Sequence, residues 1–165
     1  MIVEGKELSV IRADLKDSTI ALRFGCYDIL HAGHQEGIDF ATAQADVLAV
    51  GVMPDSYIAR KKGIGRPVNG EASRVRSIDE AVGVDYSFIA PASAVAMAGI
   101  FLKLRPDIYI EDEAHAGNML KLAFLRGIGT EYVIERVSKL CSTSEMIAEL
   151  GLAEAAAKSS LSFTF

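Results

Sequence analysis

Apolar side chains alternate at Ile20, Leu22 and Phe24, the spacing of a strand with a buried face. The run over 46–52, Asp46-Val47-Leu48-Ala49-Val50-Gly51-Val52, is nearly continuous in apolar and β-branched residues, as a strand covered on both faces of a parallel sheet requires. Between them 35–45 reads as a helix, which completes a first βαβ unit. The alternation continues with a helix over 72–82, a strand over 86–89, a helix over 92–104 stopped by Arg105-Pro106, a strand over 107–110, a helix over 114–126 and a last strand over 132–134. Five strands separated by helices, joined by right-handed crossovers, predict an α/β fold. The expected form is a doubly wound, Rossmann-like five-stranded parallel sheet with helices on both faces, in a single domain.

The ends of the chain are less patterned. Residues 1–18 are charged and predict an N-terminal extension, a strand or short helix lying over the domain, which itself is expected over 19–152. The Ala-rich stretch 153–165 reads as a C-terminal tail, with Phe163 and Phe165 at its end. With 165 residues, half of them hydrophobic, one sizeable core is expected. A net charge of −5 argues against a general binder of nucleic acid or of membrane surfaces, so any basic site has to be local. Cys26 and Cys141 are too few for a disulfide scaffold, the amino end lacks a signal-peptide pattern, and the apolar run 94–102 is about half the ~20 residues of a membrane helix. A soluble, cytoplasmic protein is the expectation.

Candidate chemistry begins at the end of the first strand, in Arg23-Phe24-Gly25-Cys26-Tyr27-Asp28-Ile29-Leu30-His31-Ala32-Gly33-His34. A strand-to-helix turn in an open α/β sheet brings the carboxyl end of a strand and the free N–H groups of a helix onto one ligand. His31 and His34, three residues apart, are read as sharing a helical face, and Gly33 lets a phosphate approach the backbone. Two imidazoles and a helix amino end suit nucleotidyl transfer, in which charge grows on phosphate oxygens and prepositioned donors stabilise it.

Two further stretches converge on this site. Arg60-Lys61-Lys62-Gly63-Ile64-Gly65-Arg66-Pro67-Val68-Asn69 is the densest basic segment. It reads as a mobile loop following the second strand, overhanging the same crevice. Near the end, Ser142 with Glu145 forms a capping box ahead of Met146, Ile147 and Leu150. A helix starts there, and its hydroxyls and N–H groups can serve as a plain cap or bind phosphate.

The stretch from Gly25 to His34 resembles the His-x-Gly-His signature of the cytidylyltransferase-like nucleotidyltransferases. In these residues it is most similar to the nucleotidyltransferase half of ADP-heptose synthase and to glycerol-3-phosphate cytidylyltransferase. The likeness runs from about Ile20 to Leu150. It implies that His31, His34 and Lys62 are catalytic, and that Gly25, Cys26, Tyr27, Asp28 and Gly33 bind nucleotide with Arg136 and the Ser-Thr-Thr-like Ser142, Thr143 and Ser144. Lys62-Gly63 and Arg66-Pro67-Val68-Asn69 match the family's Lys-Gly and Arg-Pro-Val-Asn elements, and Arg74 falls on its following arginine. The resemblance thereby assigns Asp28, Lys61, Arg66 and Arg74 to substrate binding. Lys139 is an alternative to Arg136 for the accompanying charge. The implied partners are ATP or CTP, carried with Mg²⁺, and a small phosphorylated acceptor, a sugar phosphate before glycerol phosphate, ethanolamine phosphate or FMN. The implied assembly is a homodimer.

Departures from the family pattern are as specific as the matches. Leu140 stands where relatives place a glycine ahead of the Ser-Thr element, and Glu111-Asp112-Glu113 replaces a Gly-Asp pair that lines the nucleoside pocket. These motivate a second reading, a nucleotide-binding module without catalysis. Neither a P-loop nor a dinucleotide fingerprint is present, and three histidines with two scattered cysteines form no zinc-ligand pattern. No protein-bound metal is expected.

Overall fold

The computed structural model of the 165-residue chain describes residues 1–136. Its elements are α1 (Leu8–Asp14), β1 (Ile20–Gly25), α2 (Ala32–Thr42), β2 (Val47–Val52), α3 (Asp55–Lys62), α4 (Glu71–Asp79), β3 (Tyr86–Ile89), α5 (Ala94–Leu104), β4 (Ile108–Asp112), α6 (Met119–Gly127) and β5 (Glu131–Glu135). All strand pairs are parallel and the order is β3-β2-β1-β4-β5. The five-stranded, doubly wound sheet expected from the alternation of elements is the one observed.

Successive strand residues point to opposite faces, so the continuous apolar runs feed two cores at once. Leu22, Ala49, Phe88 and Tyr109 pack against Leu8, Ile100, Phe101, Leu104 and Leu125 of α1, α5 and α6. Ala21, Leu48, Val50 and Ile110 pack on the other side against Ile38 and Ala41 of α2 and Val75 and Ile78 of α4. The amino-terminal stretch combines both expected forms: Ile2 bridges Ser87 of β3, α1 follows, and Val3 and Leu8 are buried in the first core.

From β1 the chain winds outward through β2 and β3, then crosses to β4 and β5 on the other side. The reversal falls between β1 and β4. Ligands of open α/β sheets bind in the crevice at such a point, beyond the carboxyl ends of the strands.

Three local expectations are corrected. The basic segment 60–69 is loop only from Gly63 on: its first three residues close helix α3 (Asp55–Lys62), because Ile58 docks fully buried against Met53 and Ala90. Asp55 in its first turn and Arg60, Lys61 and Lys62 in its last complement the helix dipole. Helix α2 starts at Ala32, three residues before the expected start, so His31 is its N-cap with extended backbone rather than a residue on its face. Helix α6 starts at Met119 instead of 114. The Asp112 carboxylate accepts the Ala114 N–H at 2.7 Å and closes a 3-10 turn, Gly117 adopts a positive φ of 100°, and Asn118 caps the helix by accepting the Lys121 N–H at 3.1 Å.

Candidate active site

The histidine turn is set by what happens immediately after β1. Tyr27 lies in the left-handed region at φ 50° and is buried, a conformation costing a non-glycine residue roughly 1–2 kcal/mol. It turns the chain sharply and folds the phenol ring back over Gly25. A Cβ on Gly25 would lie 2.5 Å from that ring, so a glycine is required there. The same ring packs against His34 with centroids 5.3 Å apart.

His31 and His34 stack on one another at the amino end of α2, with ring centroids 3.9 Å apart and planes at 33°. Both Nδ1 atoms are buried without a hydrogen-bond partner. Burial pushes both imidazoles toward the neutral form; His34 falls to about 4, by burial first and then by the charges of His31, Arg23 and Lys62. The pair therefore offers two neutral rings in front of the first turn of α2, whose leading N–H groups have no partner within the helix.

Asp28, Arg66 and Arg74, expected to meet substrate, come together but are engaged with one another's segments. The Asp28 carboxylate accepts the Val68 and Asn69 N–H groups at 2.8 and 2.9 Å and pairs with the Arg66 guanidinium at 2.8 Å. Arg74 is 1% exposed and donates to the Asn69 and Cys26 carbonyls and to Asp55. Their placement is that of a clamp fastening 66–69 to the histidine turn, since burying a guanidinium is costly unless it meets acceptors. Cys26 is half-buried and its thiol is pushed up by that burial.

The basic residues of α3 remain outward. Arg60 and Lys61 lie over the Tyr57 ring at 5.6 and 5.9 Å from its centroid. Lys62 is exposed at the last turn and acts electrostatically on both Cys26 and His34.

Beside Gly25 and Cys26 opens a cavity of about 530 Å³. Its floor is apolar, formed by Phe24, Met53, Met97 and Phe101, while Arg60 and Lys61 stand on one rim and Glu111, Asp112, His115 and Lys121 on the other. The far wall is internally satisfied. Tyr109 and Tyr132 donate to the Glu111 carboxylate at 3.2 and 2.6 Å, and Lys121 pairs with it while lying over both rings. Burial and the neighbouring Glu111 carboxylate push both phenols up, so they stay protonated donors. The acidic trio is divided among three tasks: Glu111 in this wall, Asp112 capping the 3-10 turn, and Glu113 pairing with Arg136 at 3.4 Å.

Ser142, Thr143 and Ser144, with Lys139, Leu140, Cys141 and the capping box, lie outside the described residues. What the sequence did not disclose is the wall and floor: Tyr57, Met97, Tyr109 and Lys121 come from four elements and share no motif. The spacing of Tyr57, Arg60 and Lys61, at i, i+3 and i+4, is the one signal that would have placed them on a helix face.

Known proteins resemble this chain in sequence and in fold. The cytidylyltransferase-like family profile matches residues 22–136. The bifunctional protein HldE of Shewanella piezotolerans is 35% identical over 137 residues, covering 74% of this chain and 28% of that protein. HldE of Helicobacter hepaticus is 30% identical over 157 residues, covering 87% of this chain and 32% of that protein. The chain thus spans less than a third of the length of these curated relatives. The crystal structure of the lipopolysaccharide core biosynthesis protein from Thermoplasma volcanium superposes with a TM-score of 0.63 at 27% identity, covering 75% of this chain and 99% of that one. Pantoate-beta-alanine ligase from Francisella tularensis shares the fold at 17% identity and a TM-score of 0.56, over 93% of this chain and 78% of that one. The chain belongs to the cytidylyltransferase-like family, a family of nucleotidyltransferases.

Proposed function

We propose that this member of the cytidylyltransferase-like family transfers AMP or CMP from ATP or CTP to a small phosphorylated acceptor and releases pyrophosphate. The observation that carries the reading is the stacked His31–His34 pair at the amino end of α2, in the crevice where the strand order reverses. An oxygen of the acceptor phosphate attacks the α-phosphorus as the bond to the β-phosphate oxygen breaks, and no covalent enzyme intermediate is needed. His31 and His34 donate to the α-phosphate and leaving oxygens, the leading N–H groups of α2 add to them, and Lys62 neutralises growing charge. Arg136, Ser142, Thr143 and Ser144 are assigned the terminal phosphates, and Gly25, Cys26, Tyr27 and Gly33 shape the nucleotide side of the turn. Asp28, Arg66 and Arg74 support the site by holding 66–69 in place.

The acceptor occupies the cavity beside Gly25 and Cys26, with Arg60 and Lys61 at its rim. Likeness to HldE supports a sugar phosphate. The apolar floor of Phe24, Met53, Met97 and Phe101 favours a second acceptor with an apolar or planar body, FMN, over the small glycerol and ethanolamine phosphates. Mg²⁺ is assigned to the substrate, as the magnesium nucleotide, on the family resemblance; among the described residues no three His, Cys, Asp or Glu side chains converge. No helix among the described residues is long and apolar enough to cross a membrane. The homodimer is carried over from the family resemblance, and sedimentation at twice the chain mass is its expected result.

The test is pyrophosphate release with Mg²⁺, scanning the four nucleoside triphosphates against sugar phosphates, polyol phosphates, amino-alcohol phosphates and FMN, with His31→Ala as control. One productive pair lost in the variant is the expected result. Triphosphate binding with no release across the grid would instead support the non-catalytic module.

A further inference from the structure

Arg23 is the only charged residue of β1, the central strand, and its guanidinium is buried. Its Nη2 donates to Glu135 Oε2 at 3.0 Å, with the two side chains 11% and 3% exposed. Arg23 Nε and Nη1, Glu135 Oε1 and the Tyr27 hydroxyl are buried without a directed hydrogen bond, although the Tyr27 phenol lies against the guanidinium. The niche that holds the pair exists because α2 carries a glycine there. A Cβ on Gly37 would lie 2.6 Å from Nη1, 2.8 Å from Nη2 and 2.8 Å from Glu135 Oε1. Gly37 follows His34 by three residues, so the pair sits under the helical turn that presents the imidazole. Apolar residues of similar volume commonly serve a core position at least as well as a buried ion pair, so fold stability alone does not account for this one.

We propose that Arg23 and Glu135 are positioning residues for His34: wedged into the Gly37 niche, the pair sets the charge around the imidazole and ties it to the carboxyl end of β5. The role given to His34 rests on the nucleotidyl-transfer reading; the geometry of the pair does not. The charged and titratable groups that face His34 are His31 from the preceding turn, Tyr27 from the loop after β1, Arg23 from β1 and Lys62 from α3. Glu135, from β5, is faced in turn by Arg23, Asp112 and Glu36. After burial itself and His31, Arg23 is a main influence holding His34 neutral. Glu135 closes β5, so one ion pair spans from the strand that leads into the histidine turn to the end of the last strand.

The test reads the imidazoles directly. The chain has three histidines, and their ring C–H resonances can be followed through a pH titration of the whole protein, with His→Gln variants for assignment. Arg23→Met removes a cation and leaves a carboxylate, and is expected to move the His34 midpoint up by about one pH unit. Glu135→Gln leaves the cation alone and is expected to hold the midpoint in place or move it down. A rise in Arg23→Met that Glu135→Gln does not share is a pattern that loss of packing alone does not produce. Where a single variant fails to fold, Arg23→Met with Glu135→Leu replaces the pair by apolar groups, and its His34 midpoint is expected to rise. Unchanged His34 midpoints in these variants, or a shift of the same sign in Arg23→Met and Glu135→Gln, would overturn the proposal. Because the titration needs no substrate, its failure is separate from a failure to find pyrophosphate release.

Discussion

Asp28 holds Asn69 at both ends of that residue: its Oδ1 accepts the Asn69 backbone N–H at 2.9 Å, and its main-chain oxygen accepts the Asn69 side-chain amide. The carboxylate also carries Arg66, so one buried side chain fastens the segment after α3 to the histidine turn. Removing it leaves a nearly buried guanidinium unpaired. Asp28→Ala is expected to cost about 3–5 kcal/mol of folding stability, measured as a lowered denaturation midpoint, with Asp28→Asn intermediate because an amide can still accept from the two N–H groups.

The His34 imidazole is held by ring contacts with His31 and Tyr27 rather than by such a hydrogen-bonded clamp. Its replacement by alanine is expected to reduce pyrophosphate release by about 10²–10³-fold, the range for losing one donor to a developing oxyanion. The denaturation midpoint at neutral pH should change little, which separates a chemical role from a structural one.

Stability should depend on pH through the same ring. The folded-state value of His34 lies near 4, below the ordinary imidazole range. Between those two values the unfolded chain binds a proton that the folded chain refuses. Stability from this group is therefore present in full above the ordinary imidazole value and is lost as pH falls toward about 4. Unfolding free energies measured across that window should show a weaker slope in His34→Gln than in the unaltered chain.

Lys61 stands exposed on the rim of the cavity, over the Tyr57 ring and without an ion pair among the described residues. Its loss removes attraction to an anionic acceptor in ground and transition states alike. Lys61→Ala is expected to raise KM for the acceptor by about 3–10-fold while kcat stays within about twofold. A fall in kcat at unchanged KM would assign Lys61 to the chemical step.

Gly25 is expected to tolerate no side chain. Gly25→Ala drives a methyl into the Tyr27 ring, which also packs against His34. A loss of about 1–3 kcal/mol should accompany a drop in turnover, and a crystal structure of the variant should show the Tyr27 and His34 rings displaced.

The order of elements, the parallel sheet and the place of the histidine turn were determined by the sequence alone. Strands such as 47–52 are apolar on both faces and the helices between them each bury an apolar face, so local pattern and burial agree. The position of the Gly25–His34 turn, between β1 and α2, was equally legible because its residues are contiguous. Tertiary structure decided the rest. Residues 55–62 form a helix because Ile58 finds a pocket between Met53 and Ala90, a contact that three consecutive basic residues conceal in the chain. Whether Arg66 and Arg74 face a ligand or the protein depends on Asp28 and on the Cys26 and Asn69 carbonyls, which only folding brings within 3 Å. Arg23 and Glu135 are 112 residues apart in sequence and read separately as a charge on a strand and a charge at a strand end. Their meeting under His34 follows from placing β1 and β5 on either side of β4 and from the missing side chain at Gly37, because the strength of a charge pair is set by distance in space and by the exclusion of water.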